Sequence, residues 1–407
     1  MKIFIKLLLT SVALSILIVS CAQNSSNKPG TSDDDAADDD DSSIGYQPED
    51  TNPPDCEEGQ NYTEPYPNII RGPYLQMVDS SSIHIVWYTD SPSNSVVRYG
   101  IDDTIFSTCD FNPVERHEVV LTNLLPRREY TYLVRSDGAE KGRYSFKTAP
   151  KIFSTESFRF GAYGDDQSHP DIHAQVANGL LAEDPDFFIS LGDIVGDGNN
   201  FDSYDVEFFA PASELIANTP FYISIGNHED QSDYFYEFFT FPEPDKYFSF
   251  TYGNAFFIAL NTNLIYIWGS PQYVWFEQQL QRANELGFEW LIVFAHHPPY
   301  CEEWGSPGYN GEPLVRTILV PLFEQYGVDI YFSGHAHDYE RGEQNGVVYI
   351  ISGGGGGDLD TWQQDWPQIT FYEATHHYVK VDVQGKTLTL KACYPDGECF
   401  DELTLEH

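Results

Sequence analysis

The chain has 407 residues, enough for two or three domains, and its 41% hydrophobic and 15% aromatic content excludes a mainly disordered polymer. Lys plus Arg number 21 against 63 Asp plus Glu, a formal charge of −42, which excludes a general nucleic-acid binder, because such a protein needs a basic footprint. After the first 20 residues, no apolar run is long enough to span a bilayer.

Residues 1–20 read as a secretory leader: Lys2 and Lys6 precede an apolar stretch from Leu7 to Val19. The stretch ends in Ile18-Val19-Ser20-Cys21, which resembles the lipobox of bacterial lipoproteins. The resemblance implies lipid on Cys21, membrane attachment through it, and a place at the bacterial cell envelope, on the outer membrane or cell surface. A plain cleaved signal, giving a secreted protein, or a signal anchor is the alternative. Residues 21–62 carry the runs Asp33–Asp35 and Asp38–Asp41, whose mutual repulsion predicts an extended acidic tether. Residues 61–407 still hold 51 acidic against 18 basic residues. An anionic substrate of this chain therefore needs a local positive field to overcome the surface.

Residues 63–150 are expected to be all-β. Ile83, Ile85 and Trp87 recur with a period of two, and Ser91-Pro92-Ser93 marks a turn after them. The spacing Leu124-x-Pro126-x-x-x-Tyr130 resembles the tyrosine corner of fibronectin type III sandwiches. His84 and His117 read as ordinary strand residues. Five cysteines follow Cys21. Cys393 and Cys399 bracket a turn sequence, Cys56 and Cys109 are a further candidate pair, and Cys301 is then left over; spacing alone leaves the connectivity open.

Residues 155–407 are expected to form an α/β domain. Strands are predicted at Phe158–Tyr163, Phe187–Leu191, Phe221–Ile225, Trp290–Ala295 and Asp329–Phe332, and helices at Ile172–Glu183, Pro271–Leu286 and Pro313–Tyr326. Each strand runs into a metal-ligating residue type: Asp165, Asp193, Asn227, His296, and the pair His335 and His337. Ligands gather at the carboxyl ends of strands in α/β sheets, so residues far apart in sequence can meet at one site. Two carboxylates, one amide and three imidazoles suit Fe, Mn or Zn. His376 and His377 lie in a predicted strand and read as structural. Gly353–Gly357 is five consecutive glycines without the Lys-Ser/Thr of a phosphate loop.

The ordered set Gly164-Asp165, Gly192-Asp193, Gly226-Asn227-His228-Glu229, Val293-Phe294-Ala295-His296 and Gly334-His335-Ala336-His337 resembles the calcineurin-like metallophosphoesterase superfamily. Pro73-Tyr74-Leu75-Gln76, Val86-Trp87-Tyr88-Thr89 and Phe332–Arg341 are similar to the purple acid phosphatase branch, with its N-terminal fibronectin type III-like domain. The resemblance implies a four-layer α/β/β/α sandwich and a dinuclear site. In it Asp193 bridges two metals, Asp165 and His337 hold the first, and Asn227, His296 and His335 hold the second. It also places His228 over the substrate. Two positions depart from the pattern. Purple acid phosphatases have a Tyr three residues after the bridging Asp, which colours their ferric ion, and Gly196 stands there; Gln167 occupies the place of a His in related enzymes and is a candidate ligand through its amide oxygen.

The function this implies is hydrolysis of phosphomonoesters, a metal-bound hydroxide attacking phosphorus in line and His228 protonating the leaving alkoxide. Asp197 is expected to orient His228, and His297 is the other candidate acid or substrate contact. A phosphodiesterase or nucleotidase on the same site is the nearer alternative. A non-catalytic surface-binding lipoprotein is the alternative from another class.

Overall fold

Alternation along the strands decides which side chains meet. In the strand Phe187–Ser190, Phe187 and Ile189 point to one face and Phe188 to the other. In Trp290–Phe294, Trp290, Ile292 and Phe294 face one way and Leu291 and Val293 the other. The computed structural model describes residues 56, 60–101, 106–305, 308–363 and 366–407. The leader, the lipobox cysteine and the acidic runs lie outside the described residues.

Two sheets result. One has the strands Cys399–Glu406, Thr387–Cys393, Tyr378–Gln384, Phe158–Tyr163, Phe187–Ser190 and Phe221–Ile223 in that spatial order, and continues into the N-terminal β region. The other is seven-stranded, and its centre holds Val347–Ser352, Ile330–Ser333, Trp290–Phe294 and Ala255–Ala259 side by side and parallel. The sheets face each other through aromatic rings: Phe160 lies 5.4 Å from Phe257 and 6.1 Å from Phe332, and Phe187 is 5.4 Å from Phe257. The outer face of the first sheet packs on Val176, Leu180, Leu215 and Ile216 of the helices Pro170–Ala182 and Ser213–Asn218. The outer face of the second packs on Phe276, Leu280 and Phe323 of the helices Pro271–Leu286 and Val320–Tyr326. The order is helix, sheet, sheet, helix, the four layers expected from the resemblance.

Among the described residues, the N-terminal β region has five strands, Ile69–Gln76, Ile83–Gly100, Phe106–Leu121, Glu129–Ser136 and Ala139–Lys147. The long second strand pairs with the first along its early part and with the fourth along its late part, and its register shifts between Tyr88 and Ser95. Tyr130 accepts a hydrogen bond at its hydroxyl from the Leu125 amide at 2.8 Å, the backward contact of a tyrosine corner. His117 is buried and stacks on Trp87 at 4.7 Å, with Ser95 and Thr89 on its two nitrogens. The β region does not end at its own edge. Gln76 pairs in parallel with Phe221, so one sheet runs from this region into the α/β layer. Disulfides join Cys56 to Cys109 and Cys393 to Cys399, and Cys301 is buried with no disulfide.

Candidate metal centre

The strand ends turn sharply onto the site. Asp165, Asp193 and His335 all adopt left-handed backbone, with φ of 60°, 52° and 74°. Such values are sparsely populated by residues with a side chain, and three of the predicted ligands adopt them. The neighbouring glycines are needed for close approach. A Cβ on Gly226 would lie 2.0 Å from Asp193 Oδ1, and one on Gly334 2.2 Å from Asp165 Oδ2. The run Gly353–Gly357 passes equally close: added Cβ atoms would meet Ala336 O, His377, Asp166 Oδ1, Asp166 O and His337 in turn, at 2.0–2.5 Å.

The structure brings the six predicted ligands together. His296 Nε2 lies 3.0 Å from Asn227 Oδ1, 3.1 Å from Asp193 Oδ2 and 3.1 Å from His335 Nδ1. Ligand atoms of Asp165, Asp193 and His296 fall within 4.8 Å of one another. His337 Nε2 is 3.7 Å from Asp165 Oδ1 and 3.3 Å from Gln167 Nε2. The far nitrogens of two of the imidazoles are committed elsewhere. His296 Nδ1 donates to Leu191 O at 2.9 Å and His337 Nδ1 to Asp358 O at 2.7 Å. That arrangement presents an Nε2 lone pair to the site and is the usual outer support of a metal-ligating histidine.

The electrostatics fit cations. Burial pushes Asp165 well up, and Asp193 beside it adds to the shift. Burial pulls His296 down, yet Asp193 and Asp165 lift it to about 9. Burial and the neighbouring His296 and His297 hold His335 well below its ordinary value. A carboxylate-rich buried cluster calls for positive charge at its centre, and imidazoles that give up a proton supply lone pairs to hold a cation there. Gln167 is buried, and its Oε1 has no hydrogen-bond partner. A half-turn of the amide turns that oxygen toward His337. The donor set therefore fits two first-row metal ions, with Asp193 central and Gln167 able to complete one shell.

His228 is 44% exposed at its side chain, and its Nε2 lies 3.9 Å from Asp193 Oδ2. Its Nδ1 donates to Gly196 O at 2.9 Å. The expected orienting role of Asp197 is thereby corrected: its carboxylate accepts from the Asn199 amide at 3.0 Å within an exposed turn, and the adjacent carbonyl holds the imidazole. His297 meets Thr262 Oγ1 at 2.8 Å through Nδ1, and burial with His296 beside it lowers its pKa to about 3. It joins His296 and His335 in a second converging group. His377 is buried against Ser352 and Thr375 O, as a structural residue.

Sequence reasoning gave no role to several neighbours. Glu229 is buried and accepts the amides of Asp193, Ile194 and Gly226 at 2.9, 2.8 and 2.6 Å, which locks the loop bearing the central carboxylate. Asp360 accepts the His337 amide at 2.9 Å. Trp304 and Tyr309 place their rings 4.9 and 5.1 Å from that of His335. The Glu of Gly226-Asn227-His228-Glu229 was visible as a motif letter, and Trp304 and Tyr309 as aromatics able to stack a base or to pack a lid; Asp360 carries no local signal.

Residues 158–339 match the Calcineurin-like phosphoesterase family. Purple acid phosphatase 21 of Arabidopsis thaliana is 26% identical over 72% of this chain and 72% of its own length. Purple acid phosphatase 1 of Ipomoea batatas is 29% identical over 58% of this chain and 54% of its own, so the chain spans about half the length of that relative. Among solved structures, the purple acid phosphatase PPD1 of Lupinus luteus superposes with a TM-score of 0.73, at 21% identity, over 82% of this chain and 74% of its own. At that identity the superposition speaks for the fold.

Proposed function

We propose a function for a chain that carries a calcineurin-like metallophosphoesterase domain and has purple acid phosphatases among its relatives: it hydrolyses phosphate monoesters, at the bacterial cell envelope. The family match over residues 158–339 and the purple acid phosphatase relatives support metal-dependent phosphatase chemistry. The observation that carries the finer reading is the convergence of Asp165, Asp193, Asn227, His296, His335 and His337, with His228 exposed beside them. Two bound cations of Fe, Mn or Zn type supply positive charge for the phosphoryl oxygens and a lowered pKa for water. The short-range field of such a pair outweighs a screened acidic surface.

The chain's own residues do the rest. Glu229 and the left-handed turns hold Asp165 and Asp193 in place before substrate arrives. His228 keeps its Nδ1 proton on Gly196 O, so the proton available to a leaving alkoxide is the one on Nε2 of the imidazolium. After transfer the neutral ring is held by the same bond. His297 and the rings of Trp304 and Tyr309 wall the side of the site next to His335. The leader and the Cys21 lipobox motif support the envelope location. The test compares a generic phosphomonoester with a generic phosphodiester on the purified, metal-loaded protein. Preferential monoester turnover is expected, whereas turnover of the diester alone transfers the assignment to the phosphodiesterase reading.

A further inference from the structure

We propose that Glu207 is a positioning residue for His228, acting through the Gly196 peptide; the inference rests on the proton-donor role given to His228 above. Glu207 Oε2 accepts the Gly196 amide at 2.6 Å, and Gly196 O accepts His228 Nδ1–H at 2.9 Å. A second bond ties the same loop to the same residue, from the Gly198 amide to His228 O at 2.8 Å. Residues 196–198 and His228 thus move as a unit, and the side chain that anchors this unit at Gly196 is Glu207.

Gly196 needs such an anchor. It is exposed, and a Cβ built on it would meet nothing nearer than the Glu207 carboxylate, at 3.7 and 3.8 Å. Glycine has the widest backbone freedom of any residue, so packing alone does not fix the direction of its carbonyl. The element carrying Glu207 is firmly seated. It is the π-helical turn Tyr204–Phe209, with Tyr204, Phe208 and Phe209 buried. His173 Nδ1 donates to Glu207 O at 2.7 Å, and Arg71 of the β region grips Asp205 through two bonds of 2.6 and 2.8 Å. Arg71 is itself enclosed by the rings of Tyr88, Phe201, Phe209 and Phe238, at 4.0–5.0 Å from its guanidinium carbon. The N-terminal β region therefore reaches the catalytic imidazole through Arg71, the Tyr204–Phe209 turn, Glu207 and Gly196. Glu207 is not itself a metal ligand candidate: neither converging group of ligand atoms among the described residues includes it.

The test uses leaving-group dependence, which a merely structural role does not move. The metal-loaded protein and its Glu207→Ala, Glu207→Gln and His228→Ala variants are assayed on an alkyl phosphate and on 4-nitrophenyl phosphate. The alkoxide needs a proton to leave; the nitrophenolate hardly does. Glu207→Ala is expected to lower kcat on the alkyl ester by roughly 10²-fold, with KM nearly unchanged, and to leave the nitrophenyl ester within about threefold. Glu207→Gln keeps an acceptor oxygen for the Gly196 amide and is expected to recover most of the loss. His228→Ala should show the same selectivity, and adding Glu207→Ala to it should cost little more. Equal losses on both esters at unchanged metal content, or a Glu207→Ala protein as fast as wild type while His228→Ala is selective, would overturn the inference alone. Absence of selectivity in His228→Ala would overturn the proton-donor reading beneath it.

Discussion

At the scale of single residues, the site is held by contacts with no slack. Gly226 is the clearest case, because a methyl group there would occupy the place of the Asp193 carboxylate. Gly226→Ala is expected to lower bound metal from about two ions to fewer than one per chain, and activity by roughly 10²-fold or more, read by elemental analysis and steady-state assay. Glu229 makes a subtler prediction. Its two oxygens take three amides, and in Glu229→Gln one oxygen becomes an NH₂ facing an N–H donor. Metal affinity should fall roughly 10–100-fold, measured by competition with a chelator, while the fold is retained. Were affinity unchanged, the pinning of the Asp193 loop would not be what prepares the site.

At the scale of elements, the legible parts are those whose signals are local. The helix Pro271–Leu286 is bounded in sequence by Ser270, Pro271 and Gly287. In the structure Ser270 caps the amide of Tyr273 and Gly287 takes a φ of 74°. The five strand ends were legible because an apolar run followed by a ligand residue type needs no partner to be seen. The hairpin Phe248–Tyr252 with Ala255–Ala259 was not read, although Phe248, Phe250 and Tyr252 alternate with Ser249 and Thr251 and Gly253-Asn254 marks the turn; the second strand, an unbroken apolar run, carries no alternation. The pairing of Gln76 with Phe221 was equally invisible, because strand pairing across 145 positions leaves no mark on either strand. Glu207 was hidden for the same reason: its partner Gly196 is chosen by tertiary structure. The sheet-to-sheet contact also gives a prediction. Phe257 is fully buried and meets Phe160, Phe187 and Phe250. Phe257→Ala should destabilise by roughly 3–5 kcal/mol in urea unfolding, with kcat at 25 °C little changed, because it leaves a cavity between the layers and touches no ligand.

At the scale of the whole molecule, acid stability should follow the buried neutral histidines. His377 is fully buried, and burial lowers its pKa to about 4 from 6.5. Below pH 6.5 the unfolded chain takes up a proton that the folded chain refuses, so this contribution to stability is present above that pH and is lost as pH falls toward 4. The stability difference between wild type and His377→Gln should therefore shrink by roughly 3 kcal/mol between pH 7 and pH 4. A pH-independent difference would show that His377 does not titrate as its burial requires. With a formal charge of −42, the chain would draw an anionic ester most readily to cations held at the ligand-bearing strand ends of its two sheets. The most direct test is the metal content of the purified protein and of Asn227→Ala, set beside phosphomonoester hydrolysis. About two metal ions per chain in the wild type, with both metal content and activity falling together in the variant, is the predicted result. A wild-type protein that binds no Fe, Mn or Zn, and stays inactive when each is supplied, would contradict it.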